Sequence, residues 1–333
     1  MPAKMARSTP PPPFGLPEVK VAVRTSLLSC RKAEKPRIFK PVRESSGESR
    51  LKIFYAGKSN TNVTPNGENM PILEAGDWKI NYIEEGKGPP VVLIHGLAGD
   101  HTAWMPQIQA LKEKYRIIAF DNPGSGQSSK VSKPTSMAAM AHAFLKMFDQ
   151  LGVSSAHVVG RSMGGAIAQE MTLASPKSVR SLVLAGSFAK LDALGERLIR
   201  NMRDFIVSNK NWSTWTRQFS FAFISPAFFN GDVERLARLE RIIADESRDV
   251  KSYVNLANAC LAADTIGRLR SLTCPTLIMA GKLDPICSQT TTDMLLEELP
   301  QARTAYFDQS SHFFLMEEKD KANETLLSWF ASH

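Results

Sequence analysis

From Met70 onward the chain alternates short apolar runs with longer stretches of helical spacing. That rhythm is the signature of strands joined by crossover helices, and it restricts the fold to an α/β architecture with a mostly parallel central sheet flanked by helices. The runs Trp78–Ile83, Val91–Ile94, Ile117–Phe120, His157–Val159, Leu182–Ala185, Thr276–Ala280 and Thr304–Phe307 read as strands. Several are β-branched and almost uniformly apolar, as a sheet covered on both faces requires. Met137–Leu151 and Met163–Leu173 carry apolar residues at helical spacing with few breakers. One stretch, about 188–270, is helical, Arg-rich and aromatic, with no convincing strand. It reads as a helical cap inserted between two strands of a single domain spanning 70–333, and no internal repeat is present.

The first 69 residues have a different character. They hold 13 Lys/Arg and 5 Asp/Glu, a balance of +8, which is the net charge of the whole chain. The remaining residues carry 28 of each sign and are neutral. The basicity therefore belongs to an N-terminal extension, so a nucleic-acid partner is not expected. Thr9-Pro10-Pro11-Pro12-Pro13 and Ser45-Ser46-Gly47-Glu48-Ser49 mark 1–69 as Pro/Ser-rich and poor in large apolar side chains, a composition expected to be poorly ordered. Its first 43 residues carry only Glu18 and Glu34 as acids, a loose fit to an organelle transit peptide. A plain extension upstream of a domain starting at Met70 is the simpler reading. No secretory pattern and no apolar run of the roughly 18 residues needed to span a bilayer is found, so no stable membrane insertion is expected. Cys30, Cys260, Cys274 and Cys287 show no metal-ligand spacing, which suits reduced thiols. A cytoplasmic location is expected, with an organelle matrix as the alternative.

The chemistry centres on Gly160-Arg161-Ser162-Met163-Gly164, directly after the strand His157–Val159 and directly before a helix. At such a turn a serine is held exposed at the carboxyl edge of the sheet, and the helix N-terminus behind it offers free N–H groups to a developing oxyanion. An ordinary Gly-rich turn with Ser162 as a helix cap would use the same residues. What favours catalysis is the rest of the chain. A serine hydroxyl needs a base, itself oriented by an acid. His312 follows the last strand, and Asp284 follows Thr276–Ala280, so both fall on the edge that presents Ser162. The order Ser, Asp, His is the one used on this architecture. By chain position Asp192 is the nearest alternative acid.

These residues resemble the α/β-hydrolase superfamily, and the resemblance spans about 72–332. His95-Gly96-Leu97 is similar to that superfamily's oxyanion loop, and Asp121-Asn122-Pro123-Gly124-Ser125-Gly126-Gln127-Ser128 to its D-x-x-G-x-G-x-S segment. The resemblance implies an α/β-hydrolase fold with a helical cap and an oxyanion hole made by the backbone N–H groups of Leu97 and Met163. It makes His95 structural. The G-x-G within 121–128 is not a dinucleotide fingerprint, because Ser129 stands where the third glycine is needed. Arg161 departs from relatives, which mostly carry His, Asn or a small apolar residue; it either pairs with an acid behind the turn or tunes the site.

Because the nucleophile position holds Ser162 rather than Asp, acyl transfer is the implied chemistry, and it needs no metal or organic cofactor. The run 70–190 is most similar to small esterases, enol-lactonases and C–C bond hydrolases. The expected function is therefore hydrolysis of a small carboxylic ester through an acyl-enzyme. The alternatives on the same triad are an enol-lactone, a meta-cleavage diketone or cofactor-free perhydrolysis; a further one is a non-catalytic ligand-binding homologue. Residues 205–229 hold eight of the chain's 27 aromatics. Among them Trp215, Phe219 and Phe223 are the candidate substrate-binding rings, implying short-to-medium acyl or aromatic substrates.

Overall fold

The computed structural model describes residues 71–333 apart from Asp232. The expected extension at 1–69 lies outside the described residues. Eight strands form one sheet: β1 (Ile72–Ala75), β2 (Trp78–Glu85), β3 (Pro90–Ile94), β4 (Arg116–Phe120), β5 (Ala156–Arg161), β6 (Val179–Ala185), β7 (Thr276–Gly281) and β8 (Arg303–Phe307). Across the sheet they run β1-β2-β4-β3-β5-β6-β7-β8. β2 pairs antiparallel with both β1 and β4, and every other neighbouring pair is parallel. The sequence reading finds seven of these strands and misses β1. Of its four residues only Ala75 is buried, so β1 offers no apolar run to read. It is held instead by a tight turn in which Gly76 takes a φ of 69°.

In chain order, α1 (Met105–Leu111) joins β3 to β4, α2 (Met137–Gln150) joins β4 to β5 and α3 (Met163–Ala174) joins β5 to β6. Five helices then separate β6 from β7: α4 (Ala193–Asn209), α5 (Trp212–Phe219), α6 (Pro226–Gly231), α7 (Val233–Ile243) and α8 (Val250–Ala262). After β7 come α9 (Gln289–Glu298), and after β8 α10 (Phe314–Glu317) and α11 (Lys319–Ala331). The pleat sends alternate strand residues to opposite faces. Val92 and Ile94 join Phe144 of α2 and Ile167 of α3 in one core, whereas Val91 and Leu93 join Ile108 of α1 and Leu326 of α11 in the other. All four of these β3 side chains are fully buried, each stabilising the fold by about 1.5–3 kcal/mol. That double burial is why the central strands read as unbroken apolar runs.

The cap spans α4 to α8. Asp192, Asn211 and Asp249 begin α4, α5 and α8 as N-caps, accepting from the backbone N–H groups of Gly195, Thr214 and Ser252. Its interior is aromatic: Trp212, Trp215 and Tyr253 meet edge to face with centroids 5.1–5.8 Å apart. The Trp215 indole donates to the Met202 carbonyl at 2.9 Å. The cap is fastened to the segment before α10, where the Phe313 N–H donates to the Phe223 carbonyl at 2.8 Å. Glu317 adds to that seam by accepting from the Ser225 N–H at 3.1 Å and the Ser311 N–H at 3.3 Å. Among the described residues no helix is long and apolar enough to cross a membrane.

Candidate active site

Ser162 sits between β5 and α3 with φ 52° and ψ −121°, a conformation that non-glycine residues rarely adopt. Its own N–H donates to the Ala185 carbonyl at 3.0 Å, and its carbonyl accepts from the Ser187 hydroxyl and the Gly165 N–H, both at 2.9 Å. Close packing forbids larger residues on either side. A Cβ on Gly164 would come within 2.1 Å of the Ile94 carbonyl oxygen, and one on Gly160 within 2.3 Å of the Gly164 oxygen. The turn is thus strained and braced, which is what fixes a reacting hydroxyl in one place.

Asp284 follows β7 and His312 follows β8. Their side chains meet at 2.7 Å, Asp284 Oδ2 to His312 Nδ1, and both are buried. Asp284 Oδ1 accepts from the N–H groups of Ile286 at 2.8 Å and Cys287 at 2.9 Å, so neither oxygen is free to rotate away. With the carboxylate accepting, Nδ1 holds the ring proton and Nε2 keeps its lone pair. Asp192 takes no part, because it caps α4 and accepts from the Ser288 hydroxyl at 2.5 Å.

The loop after β3 lies against the serine: a Cβ on Gly96 would be 3.1 Å from Ser162 Cβ. Leu97 lies on this loop, and its N–H has no acceptor among the described residues. Met163 is the first residue of α3, so its N–H lies ahead of the intrahelical ladder. His95 is used up in holding that loop. Its Nδ1 bonds the Gly96 carbonyl at 2.8 Å, and its Nε2 accepts from the Asn122 N–H at 2.9 Å. Burial holds its imidazole below the usual range, hence neutral. Behind it, the fully buried Asp121 accepts from Asn81, Gln127 and both the backbone and ring of His101 at 2.8–2.9 Å. Gly126, at φ 51°, cannot be replaced there, since a Cβ would lie 2.2 Å from Asp121 Oδ2.

Two side chains beside the serine were not assigned from sequence. The buried Cys287 thiol lies near the Ser162 side chain, and burial pushes it well above the usual thiol range. Asp284, Cys287 and His312 place ligand-type atoms within 4.8 Å of one another, the one such cluster among the described residues. The carboxylate and imidazole in it are already spent on each other. Cys287 follows Asp284 by three residues, and the turn Asp284 organises brings it inward; residue spacing alone carries no sign of that. Arg161 lies with its guanidinium 4.1 Å from the centroid of the Phe313 ring, and its Nε is sealed from solvent without a partner. Burial lowers it to about 10, opposed by the nearby Asp284 carboxylate, so it stays cationic at neutral pH. Among the described residues it makes no ion pair, so of the two expectations the pairing with an acid behind the turn is not seen there.

Of the three candidate rings in the cap, Phe223 reaches the site, its centroid 6.5 Å from that of His312. Trp215 and Phe219 stand one layer back, 5.7 Å from Phe223 and from Trp215 respectively. Phe221 points outward at 59% exposure and contributes nothing to the roof.

The family model described as the alpha/beta hydrolase fold matches residues 89–319. RutD of Azorhizobium caulinodans, provisionally named a carbamate hydrolase, is 30% identical over 260 residues, 78% of this chain and 98% of that one. The 3-oxoadipate enol-lactonase 1 of Acinetobacter baylyi is 29% identical over 240 residues, 70% of this chain and 85% of that one. Among solved structures, an esterase from Exiguobacterium antarcticum superposes with a TM-score of 0.71 at 25% identity, covering 78% of this chain and 98% of the esterase. Fold, strand-end site and relatives agree: the chain is a hydrolase belonging to the alpha/beta hydrolase fold family.

Proposed function

We propose that this hydrolase cleaves a small carboxylic ester through an acyl-enzyme, with Ser162 as nucleophile, His312 as base and Asp284 as the orienting acid. The observation that carries this reading is the 2.7 Å Asp284–His312 contact buried beside a strained serine turn. His312 Nε2 takes the Ser162 proton as Oγ attacks the carbonyl, and the Leu97 and Met163 N–H groups receive the oxyanion. Collapse expels the alcohol, which takes the proton from His312. Water, deprotonated by the same nitrogen, then releases the carboxylic acid and restores Ser162. The acyl group lies under Phe223, with Trp215 and Phe219 backing that ring. A small-molecule ester is the one partner this chemistry requires. The likeness to an enol-lactonase favours a second reading, hydrolysis of a cyclic enol ester by the same steps. Turnover of 4-nitrophenyl butyrate, with Ser162→Ala as the blank, tests the first; absence of Ser162-dependent turnover overturns it.

A further inference from the structure

Two part-buried arginines lie near the site, and they differ in how their charge is met. Arg248 donates to the Ile243 carbonyl at 2.9 Å, lies over the Trp212 ring, and is faced by Asp245, Asp100 and Glu246. Arg161 shares the ring contact but makes no such hydrogen bond. Among the described residues its guanidinium has no hydrogen bond and no ion pair, only the face of Phe313. The nearest carboxylate, Asp284, is committed to the Ile286 and Cys287 N–H groups and to His312. With Nε sealed and unpartnered and the rest of the guanidinium meeting only a ring face, Arg161 keeps donor capacity that an anion could complete. Arg161 is the residue before Ser162, and the ring it lies over, Phe313, is the residue after His312, so the cation adjoins both halves of the candidate machinery.

We infer that Arg161 is an anion-binding residue that recognises a carboxylate carried by the substrate. Resting on the ester-hydrolase reading, this narrows the substrate class to esters or enol-lactones bearing a free carboxylate on the acyl or alcohol arm. The guanidinium fork matches a carboxylate with two parallel N–H donors, and the enclosed setting strengthens the pair. Burial lowers the basicity of Arg161. A bound carboxylate would raise it.

The test compares matched esters. The 4-nitrophenyl hemiester of glutarate is set against 4-nitrophenyl valerate for the acyl arm, and 4-valeryloxybenzoate against phenyl valerate for the alcohol arm. On one arm, the anionic-to-neutral ratio of kcat/KM should fall at least about tenfold in Arg161→Met, with Arg161→Lys in between because it keeps charge but loses the fork. Calorimetric binding of glutarate against valerate to Ser162→Ala, with and without Arg161→Met, is read in parallel. Glutarate should bind the single variant at least about tenfold more tightly than the double one. Unchanged ratios on both arms, together with unchanged glutarate affinity, overturn the inference. If wild type cleaves none of the four esters, the ester-hydrolase reading has failed, and the glutarate titration alone decides whether Arg161 binds a carboxylate.

Discussion

Asp284 and His312 lie 28 positions apart in the chain, yet Oδ2 and Nδ1 meet at 2.7 Å while two backbone N–H groups hold the other carboxylate oxygen. In Asp284→Asn the amide oxygen would stay on those N–H groups and turn its NH₂ toward His312. The ring would then carry its proton on Nε2, where it cannot accept one from Ser162. A fall in kcat of about 10⁴ is expected, with KM little changed. Steady-state kinetics on 4-nitrophenyl butyrate check this. Asp192 is engaged elsewhere, so a silent variant would remove the triad assignment altogether.

Ser162→Ala should lower kcat by about a million-fold, because the attacking oxygen itself is gone. Its strained backbone is braced by main-chain bonds and Ser187, none of which uses the Ser162 hydroxyl. The melting temperature should therefore stay within a few degrees of wild type, as scanning calorimetry would read.

Stability should weaken in mild acid through His157. Burial, with Arg180 and His333 nearby, holds this ring at about 4 against 6.5 in model compounds. Below pH 6.5 the unfolded chain binds a proton that the folded chain refuses until about pH 4, so stability is lost as pH falls through that window. At pH 5 the loss from this one group is about 2 kcal/mol relative to pH 7. Urea unfolding of His157→Phe should show a shallower decline between those pH values; an equal decline would place the acid sensitivity elsewhere. Ser181, which His157 contacts at 2.8 Å, keeps the Trp329 indole as a partner in that variant.

Acyl length should matter because Phe223 lies against His312. Each methylene buried beneath it adds about 0.8 kcal/mol of binding. Among 4-nitrophenyl esters, kcat/KM should rise from acetyl to butyryl or hexanoyl and then fall for long chains. Phe223→Ala should flatten that profile. An enzyme fastest on acetate would show that this ring does not form the acyl wall.

Features set by local pattern were legible in the sequence, and features set by side-chain meeting were not. The doubly covered strands β3 to β7 announce themselves because most of their residues are buried and apolar. β1 stays silent because a four-residue edge strand with one buried side chain has no pattern to show. Asp284 and His312 were legible because each follows a predicted strand, on the edge that presents Ser162 and in the chain order Ser, Asp, His; the two strands prove to be neighbours in the sheet. Cys287 was not, since its approach to Ser162 depends on a turn that Asp284 itself caps. Arg161 stood out as unusual, but the sequence left open whether an acid pairs with it, and only the fold shows that none does among the described residues.

The seam between Phe313 and Phe223 bears on how the protein meets its substrate. Swinging the cap aside would pull the Phe313 N–H from the Phe223 carbonyl, and Phe313 is the residue after His312. Opening the cap therefore costs a bond one residue away from the candidate base. On the ester-hydrolase reading, a substrate that needs the cap open should be turned over poorly, and a small dissolved ester that fits beneath it well.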